Sequence, residues 1–365
     1  MGIESKNTFN IPSENGRCRT DQETNRSNIA NKTIHQIMLN GIVMFAVAFS
    51  WALSTQFTKS ILIIDPKYFY APYFMVWFNT NFMMACYPTY IIFEILFHRS
   101  SLRDIQQEAL LVYGNMDNTV RSYFKRTSLF LLLWLIANYS YSQSLGYISA
   151  SATSSIMSTN TAMVVIFGWI ILKDQFIPFR LISVVAAIIG VTVISLDKEF
   201  VGNMSGISLS ILSALSAALY KVLFKKIIGN ATIGQVSLFM SGLGLLNASL
   251  NSLPMIILVV KNLETFTWAY IPWIPLFGVA FLSMWFNFLI NFGITLLHPL
   301  VISIGMLFGI PISAAIDIIF RHMTATPYFI IGALLILFSC AIVAIPAELL
   351  RCSIKIGTKS DVEKK

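Results

Sequence analysis

The run WIPLFGVAFLSMWFNFLINFGITL, residues 273–296, carries no charged side chain in 24 consecutive positions. At about 1.5 Å of rise per residue, a helix of that length crosses the roughly 30 Å hydrocarbon layer of a bilayer. It is apolar nearly all round, whereas a soluble helix keeps a charged face for water. This stretch therefore reads as a helix whose solvent is lipid.

Working outward, nine further runs have the same character. The ten segments are 36–58, 72–97, 127–146, 150–172, 180–196, 205–227, 233–260, 273–296, 299–320 and 326–347. The fifth is the shortest and is expected to stand nearly upright. Over the 365 residues, 56% are hydrophobic and 12% charged, against roughly 25% charged in a typical soluble domain. The expected fold class is an all-α integral membrane protein with ten transmembrane helices.

The polar stretch 1–35 lacks the apolar core and small-residue cleavage site of a secretory signal and reads as a disordered cytosolic tail; 348–365 reads as a second cytosolic tail. An even number of spans places both termini on one side. On that assignment 20 of the 25 Lys and Arg fall on cytosolic segments, the exceptions being Lys59, Lys67, Lys198, Lys261 and Arg321, as the positive-inside rule requires. The net charge of +8 then follows from topology, and no nucleic-acid partner is needed to explain it. Asn203 heads a glycosylation sequon in a predicted external loop, while those at Asn31 and Asn230 fall on internal segments.

Two halves are visible. Ala52, Leu53 and Lys59 at the end of the first span recur as Ala218, Leu219 and Lys225 at the end of the sixth. Lys173 with Pro178 and the helix through Gly190 parallels Arg321 with Pro327 and the helix through Ser339. These echoes predict two five-helix repeats, 36–196 and 205–347. An odd number of spans per repeat inverts the second half in the membrane, an arrangement that transporters use to place a substrate site between the halves.

The blocks YAPYFMVWFNTN (70–81) and ALYKVLFK (218–225) resemble the drug/metabolite transporter superfamily, and within it the F subgroup of solute carrier family 35, the thiamine transporter type. GLGLLN (242–247), NFLINFGI (287–294) and the stretch from Ile310-Pro311-Ile312 to Ile316-Asp317 extend the match over roughly residues 45–347. The resemblance implies the drug/metabolite transporter fold, a ten-helix carrier working by alternating access, with thiamine as the first named solute. One position departs: relatives are expected to carry Lys after the Asn of the fourth helix, and here Thr161 follows Asn160.

Polar groups inside a membrane must find partners, so their faces mark candidate sites. Trp77 and Asn81 share a face of span two, and Trp134, Asn138 and Tyr141 one of span three. Each pairs a flat ring with an amide, which suits an aromatic or cationic solute. Span four carries Ser151, Ser154, Ser155, Ser158 and Thr161 on one face, beside Asn160; close packing of small residues explains such a stripe as well as solute contact does. In the second half Tyr220 lies with Ser213 and Ser216 on span six, Gly244, Asn247 and Asn251 share a face of span seven, and Asn287 and Asn291 one of span eight. Pro311 interrupts span nine, as a hinge or as a static bend.

Lys221 has two readings, a site residue or a side chain snorkelling to the headgroups. Asp317 is the candidate counter-ion for a cation, with helix-end solvation the alternative. No basic cluster stands at midplane depth to compensate phosphates, so a thiamine-like aromatic cation fits better than the alternative cargo, a nucleotide sugar exchanged for a nucleotide. Four scattered His and the Cys at 18, 86, 340 and 352 supply neither a catalytic constellation nor metal-ligand spacing. The expectation is a non-enzyme without cofactor or metal. Its partners would be a small-molecule solute, the lipid bilayer and, as a homodimer, a second copy. The expected location is the plasma membrane or a Golgi or endosomal membrane.

Overall fold

The computed structural model describes residues 38–344 except 55–56, 59–60, 62–66, 99–100, 115–118, 145–146, 148–149, 175–177, 196–203, 298, 310–311, 313–318 and 320–326. The two tails, Asn203, Pro311 and Asp317 therefore lie outside the described residues. Backbone packing separates a body, Ile42–Ala344, from a unit of Met1–Gly41 with Ile345–Lys365, of which only Met38–Gly41 are described.

Among the described residues the apolar runs are mostly helical. The helices are α1 (Met38–Ser54), α2 (Pro72–Asn81), α3 (Cys86–Phe93), α4 (Leu102–Leu110), α5 (Thr119–Ser144), α6 (Ala150–Phe167), α7 (Pro178–Ser195), α8 (Met204–Ile227), α9 (Ile233–Leu250), α10 (Ser252–Val260), α11 (Trp273–Leu296), α12 (Pro299–Leu307) and α13 (Pro327–Ala344). Among the described residues α8, α9 and α11 are, by length and composition, able to cross a membrane. Ile274 is 87% exposed and Phe97 72%, an outward apolar surface that a lipid solvent favours and water does not.

Two expected spans are interrupted, each at a proline. Pro88 has no N–H for the Met84 carbonyl, and the chain tightens into a 3₁₀ turn, Phe82–Ala85, just before α3. Ser241 of α9 repairs the break: its Oγ lies 2.9 Å from Met84 O and 3.2 Å from Met83 O, and accepts the Tyr87 N–H at 2.8 Å. Polar repair of this kind is what lets proline persist in a helix without water. Asn251 and Pro254 divide the expected span 233–260 into α9 and α10. A capping box fixes the start of α9, with Thr232 and Gln235 each serving the other's backbone N–H.

Small residues let helices touch. A Cβ on Gly190 of α7 would stand 2.8 Å from Gly332 O of α13, and one on Gly309 2.9 Å from Ala48 O of α1. The first contact is joined by Ser339 Oγ donating to Ser183 O at 2.7 Å. An apolar cluster of Met44, Val164, Val184, Ala218, Val222 and Leu300 joins α1, α6, α7, α8 and α12.

Two features escape the apolar pattern. The short amphipathic α4 buries Ile105 and Ala109 in the segment between the second and third expected spans. A two-stranded antiparallel sheet pairs β1 (Phe69–Tyr70) with β2 (Thr265–Phe266), Phe69 opposite Phe266. Beside it the rings of Tyr68 and Tyr270 stack at 4.3 Å. The sheet ties the segment before α2 to the segment after α10.

Candidate functional site

Helix α8 positions the principal site. Its small residues Ser213, Ala214 and Ala218 are buried, which brings α5 and α6 onto it: Ser213 Oγ donates to Ala137 O of α5 at 2.6 Å, and Asn160 Nδ2 of α6 donates to Ala214 O at 3.1 Å. Two turns further along the same face stands Lys221. A helical side chain leans toward the N-terminus, and Lys221 Nζ thereby reaches Asn160 Oδ1 at 3.2 Å. Helix α12 closes the other side with Ser303 Oγ at 3.1 Å and Met306 Sδ at 3.2 Å.

Lys221 is 5% exposed, so the snorkelling reading fails. Helix α6 meets its Nζ from one side and α12 from the other. Its hydrogen-bond partners among the described residues are all neutral. The interior thus holds a basic group.

Next to it Tyr220 OH donates to Asn291 Oδ1 of α11 at 2.8 Å. Asn291 Nδ2 is shared between Asn287 O and Met240 Sδ, each at 2.9 Å. The Tyr220 ring meets Phe130 at 5.3 Å and Trp134 at 5.8 Å, geometry in which aromatic quadrupoles attract. Asn287 donates to Ser283 O at 2.7 Å, and its Oδ1 is buried without a partner. A buried unpaired carbonyl is costly.

The other sequence candidates divide. Trp134 Nε1 donates to Thr80 Oγ1 at 3.1 Å, linking α5 to α2. Trp77 Nε1 donates to Ser252 Oγ at 3.1 Å, and Asn247 Nδ2 reaches Asn81 Oδ1 at 2.7 Å and Trp77 O at 3.1 Å. Trp77 and Asn81 therefore form a second network with α9 and α10. Asn138 turns back on its own helix, donating to Trp134 O at 2.9 Å. Tyr141 lies 6.3 Å from Trp51, which in turn lies 5.1 Å from Phe286. The side chain of Ser158 and all of Asp317 are outside the described residues.

Sequence reasoning missed Ser303, Met306, Met240 and Trp51. Each sits in an ordinary apolar run, and only contact with another helix distinguishes it. It also missed Glu264. This residue is 5% exposed, and its Oε1 accepts the Tyr73 N–H at 2.5 Å and its Oε2 the Phe74 N–H at 3.2 Å. Burial pushes its carboxyl above the ordinary range, against the opposing pull of those two N–H bonds.

No protein-family model matches the chain. A crystal structure of another protein superposes with a TM-score of 0.61 at 12% identity, covering 86% of this chain and 98% of that one; the likeness is one of fold. Thiamine-repressible mitochondrial transport protein THI74 of Saccharomyces cerevisiae is 22% identical over 343 residues, 83% of this chain and 90% of that protein. Human solute carrier family 35 member F3 is 31% identical over 331 residues, 88% of this chain and 77% of that protein. These relatives are solute carriers and transport proteins, not enzymes, and their kinship together with the apolar helices makes this a membrane transporter. By its identity to the human F3 member over most of both chains, the protein belongs to solute carrier family 35.

Proposed function

We propose that the protein is a secondary transporter that moves a small organic solute by alternating access, with thiamine or a similar aromatic cation as its cargo. The observation that carries this reading is the buried polar chain Asn160–Lys221–Ser303 and Tyr220–Asn291 inside apolar helices. Polar groups are costly in a bilayer and are kept there for a purpose. The rings of Trp134, Tyr220 and Phe130 beside these amides offer faces for a flat cationic solute. The name of the yeast relative, in which thiamine represses the protein, adds a weak pointer to the same vitamin.

The same proposal takes the chain as ten spans in two inverted five-helix repeats, with both termini cytosolic, in the plasma membrane or a Golgi or endosomal membrane. Contacts support the repeat. Helix α6 packs along α8, while α12 meets α1 through Gly305, and Gly309 just beyond α12 meets it too. If span n corresponds to span n + 5, these two contacts exchange with each other. Likewise α5 packs along α8, and Phe286 of α11 meets Trp51 of α1.

A second reading has one observation in its favour. Buried Lys221 is a cation that a phosphate could meet, which suits a nucleotide sugar exchanged for a nucleotide. Thermal-shift measurement on the purified chain separates the two. Stabilisation by thiamine but not by nucleotides or nucleotide sugars supports the first, and the reverse pattern the second. No response to either class would remove both cargo assignments.

A further inference from the structure

A carrier of organic cations has a use for a buried amine without a carboxylate beside it. Lys221 Nζ touches Asn160 Oδ1, Ser303 Oγ and Met306 Sδ. The Asn160 amide is held in one orientation because its Nδ2 donates to Ala214 O, so toward the lysine it only accepts. Met306 Sδ also only accepts. Ser303 Oγ differs, because a hydroxyl either accepts or donates. An ammonium places its three N–H bonds on the three partners. A neutral amine donates to Asn160 and Met306 and receives the Ser303 O–H on its lone pair. The pocket therefore satisfies both protonation states through rotation of one hydroxyl.

The charged groups on the helices around this pocket are few. Helix α5 brings Arg121, Lys125 and Arg126 in its first turns and the tyrosines 123, 139 and 141; α8 itself brings Lys225, Lys226 and Tyr220; α1, α11 and α12 carry no ionisable side chain in their described spans. Lys173 and Asp174 follow α6, with the Asp174 carboxylate lying against Gly168, two turns beyond Asn160. Nothing anionic touches Nζ among its described hydrogen-bond partners, so a second positive charge arriving beside Tyr220 would be opposed by the ammonium across a medium that screens poorly.

We propose that Lys221 is the proton-exchange site of the carrier. With the site empty the amine holds a proton. When an organic cation binds beside Tyr220, the N–H bond breaks, the electron pair stays on Nζ, and the proton passes to water on the open side. One cation is exchanged for one proton, and nothing is oxidised or reduced. The inference rests on the reading of the cargo as a cation.

The test is calorimetry of thiamine binding to the full-length purified protein in two buffers of different ionisation enthalpy, which counts protons released per ligand bound. Wild type is expected to release about one proton and K221M none, with S303A moving the pH of release by roughly one unit. S303A also serves if K221M does not fold. Thiamine binding without proton release, equal release from K221M, or an unmoved S303A would overturn the proposal. If thiamine does not bind wild type, the cargo reading fails separately, and the ligand-free pH profile of the melting temperature decides. A step in that profile that K221M or S303A alters retains the proton site, and identical profiles in all three proteins discard it.

Discussion

Glu264 caps a helix 190 residues before it in the chain, its two carboxylate oxygens taking the Tyr73 and Phe74 N–H groups at the start of α2 at 2.5 and 3.2 Å. The positive end of a helix favours this placement, and the neighbouring β1–β2 pairing shares the work of joining the two segments. Removing both acceptors in E264A leaves two buried N–H groups unpaired, a loss of about 1–3 kcal/mol. A lowered melting temperature in detergent is the expected result.

The same carboxyl gives a pH signature. Burial holds its pKa above the ordinary glutamate value of 4.5, so in the fold the protonated form is favoured relative to the unfolded chain. Its contribution to stability is therefore complete below that value and is lost as pH rises through the raised folded pKa. The wild-type melting temperature should fall over this window relative to that of E264Q, which cannot titrate. Parallel curves would show that Glu264 does not change its protonation on unfolding.

Tyr220 and Asn291 provide a test of the central network. Y220F removes a neutral hydrogen bond of 2.8 Å and should cost about 0.5–1.5 kcal/mol. N291A strands a buried hydroxyl and should cost more. In a double-mutant cycle followed by thermal unfolding, the two losses should be non-additive, as expected for residues in contact.

The close approaches of glycine predict a contrast. G190A sets a methyl 2.8 Å from the Gly332 carbonyl oxygen, a backbone atom that cannot rotate away, and overpacking of this kind costs about 1–3 kcal/mol. G278A meets nothing within 4 Å and should be neutral or stabilising, since alanine favours helix by up to about 1 kcal/mol. Melting temperatures of the pair, compared with wild type, read this directly.

Much of the helical frame is legible in the sequence because one physical rule dominates it. Span 273–296 coincides with α11 and span 205–227 nearly with α8, since a run without charge has few alternatives in lipid. The interruptions at Pro88 and Asn251–Pro254 were readable as prolines, but their repair by Ser241 was not, because that needs the register of α9 against α3. The strand pair β1–β2 and the cap by Glu264 join positions nearly 200 residues apart, and no periodicity announces such a contact. Lys221 shows the limit most clearly. Its place near the end of an apolar run suggests a snorkelling side chain, and only the packing of α6 and α12 over it makes it interior.

Asn287 separates stability from transport. Its Oδ1 is buried without a partner, so N287L removes an unsatisfied acceptor and two local bonds to Ser283. The melting temperature should change little, while solute affinity, if this oxygen meets the solute, should fall about tenfold, the equivalent of one hydrogen bond of roughly 1.4 kcal/mol. Equal loss of both would mark Asn287 as a packing residue.

The most direct measurement is uptake of radiolabelled thiamine into liposomes containing the purified protein. Saturable uptake is expected that unlabelled thiamine competes, that nucleotide sugars do not, and that is reduced in the Y220F and N287L proteins. Uptake no greater than in empty liposomes, with protein whose melting profile shows it folded, would contradict it.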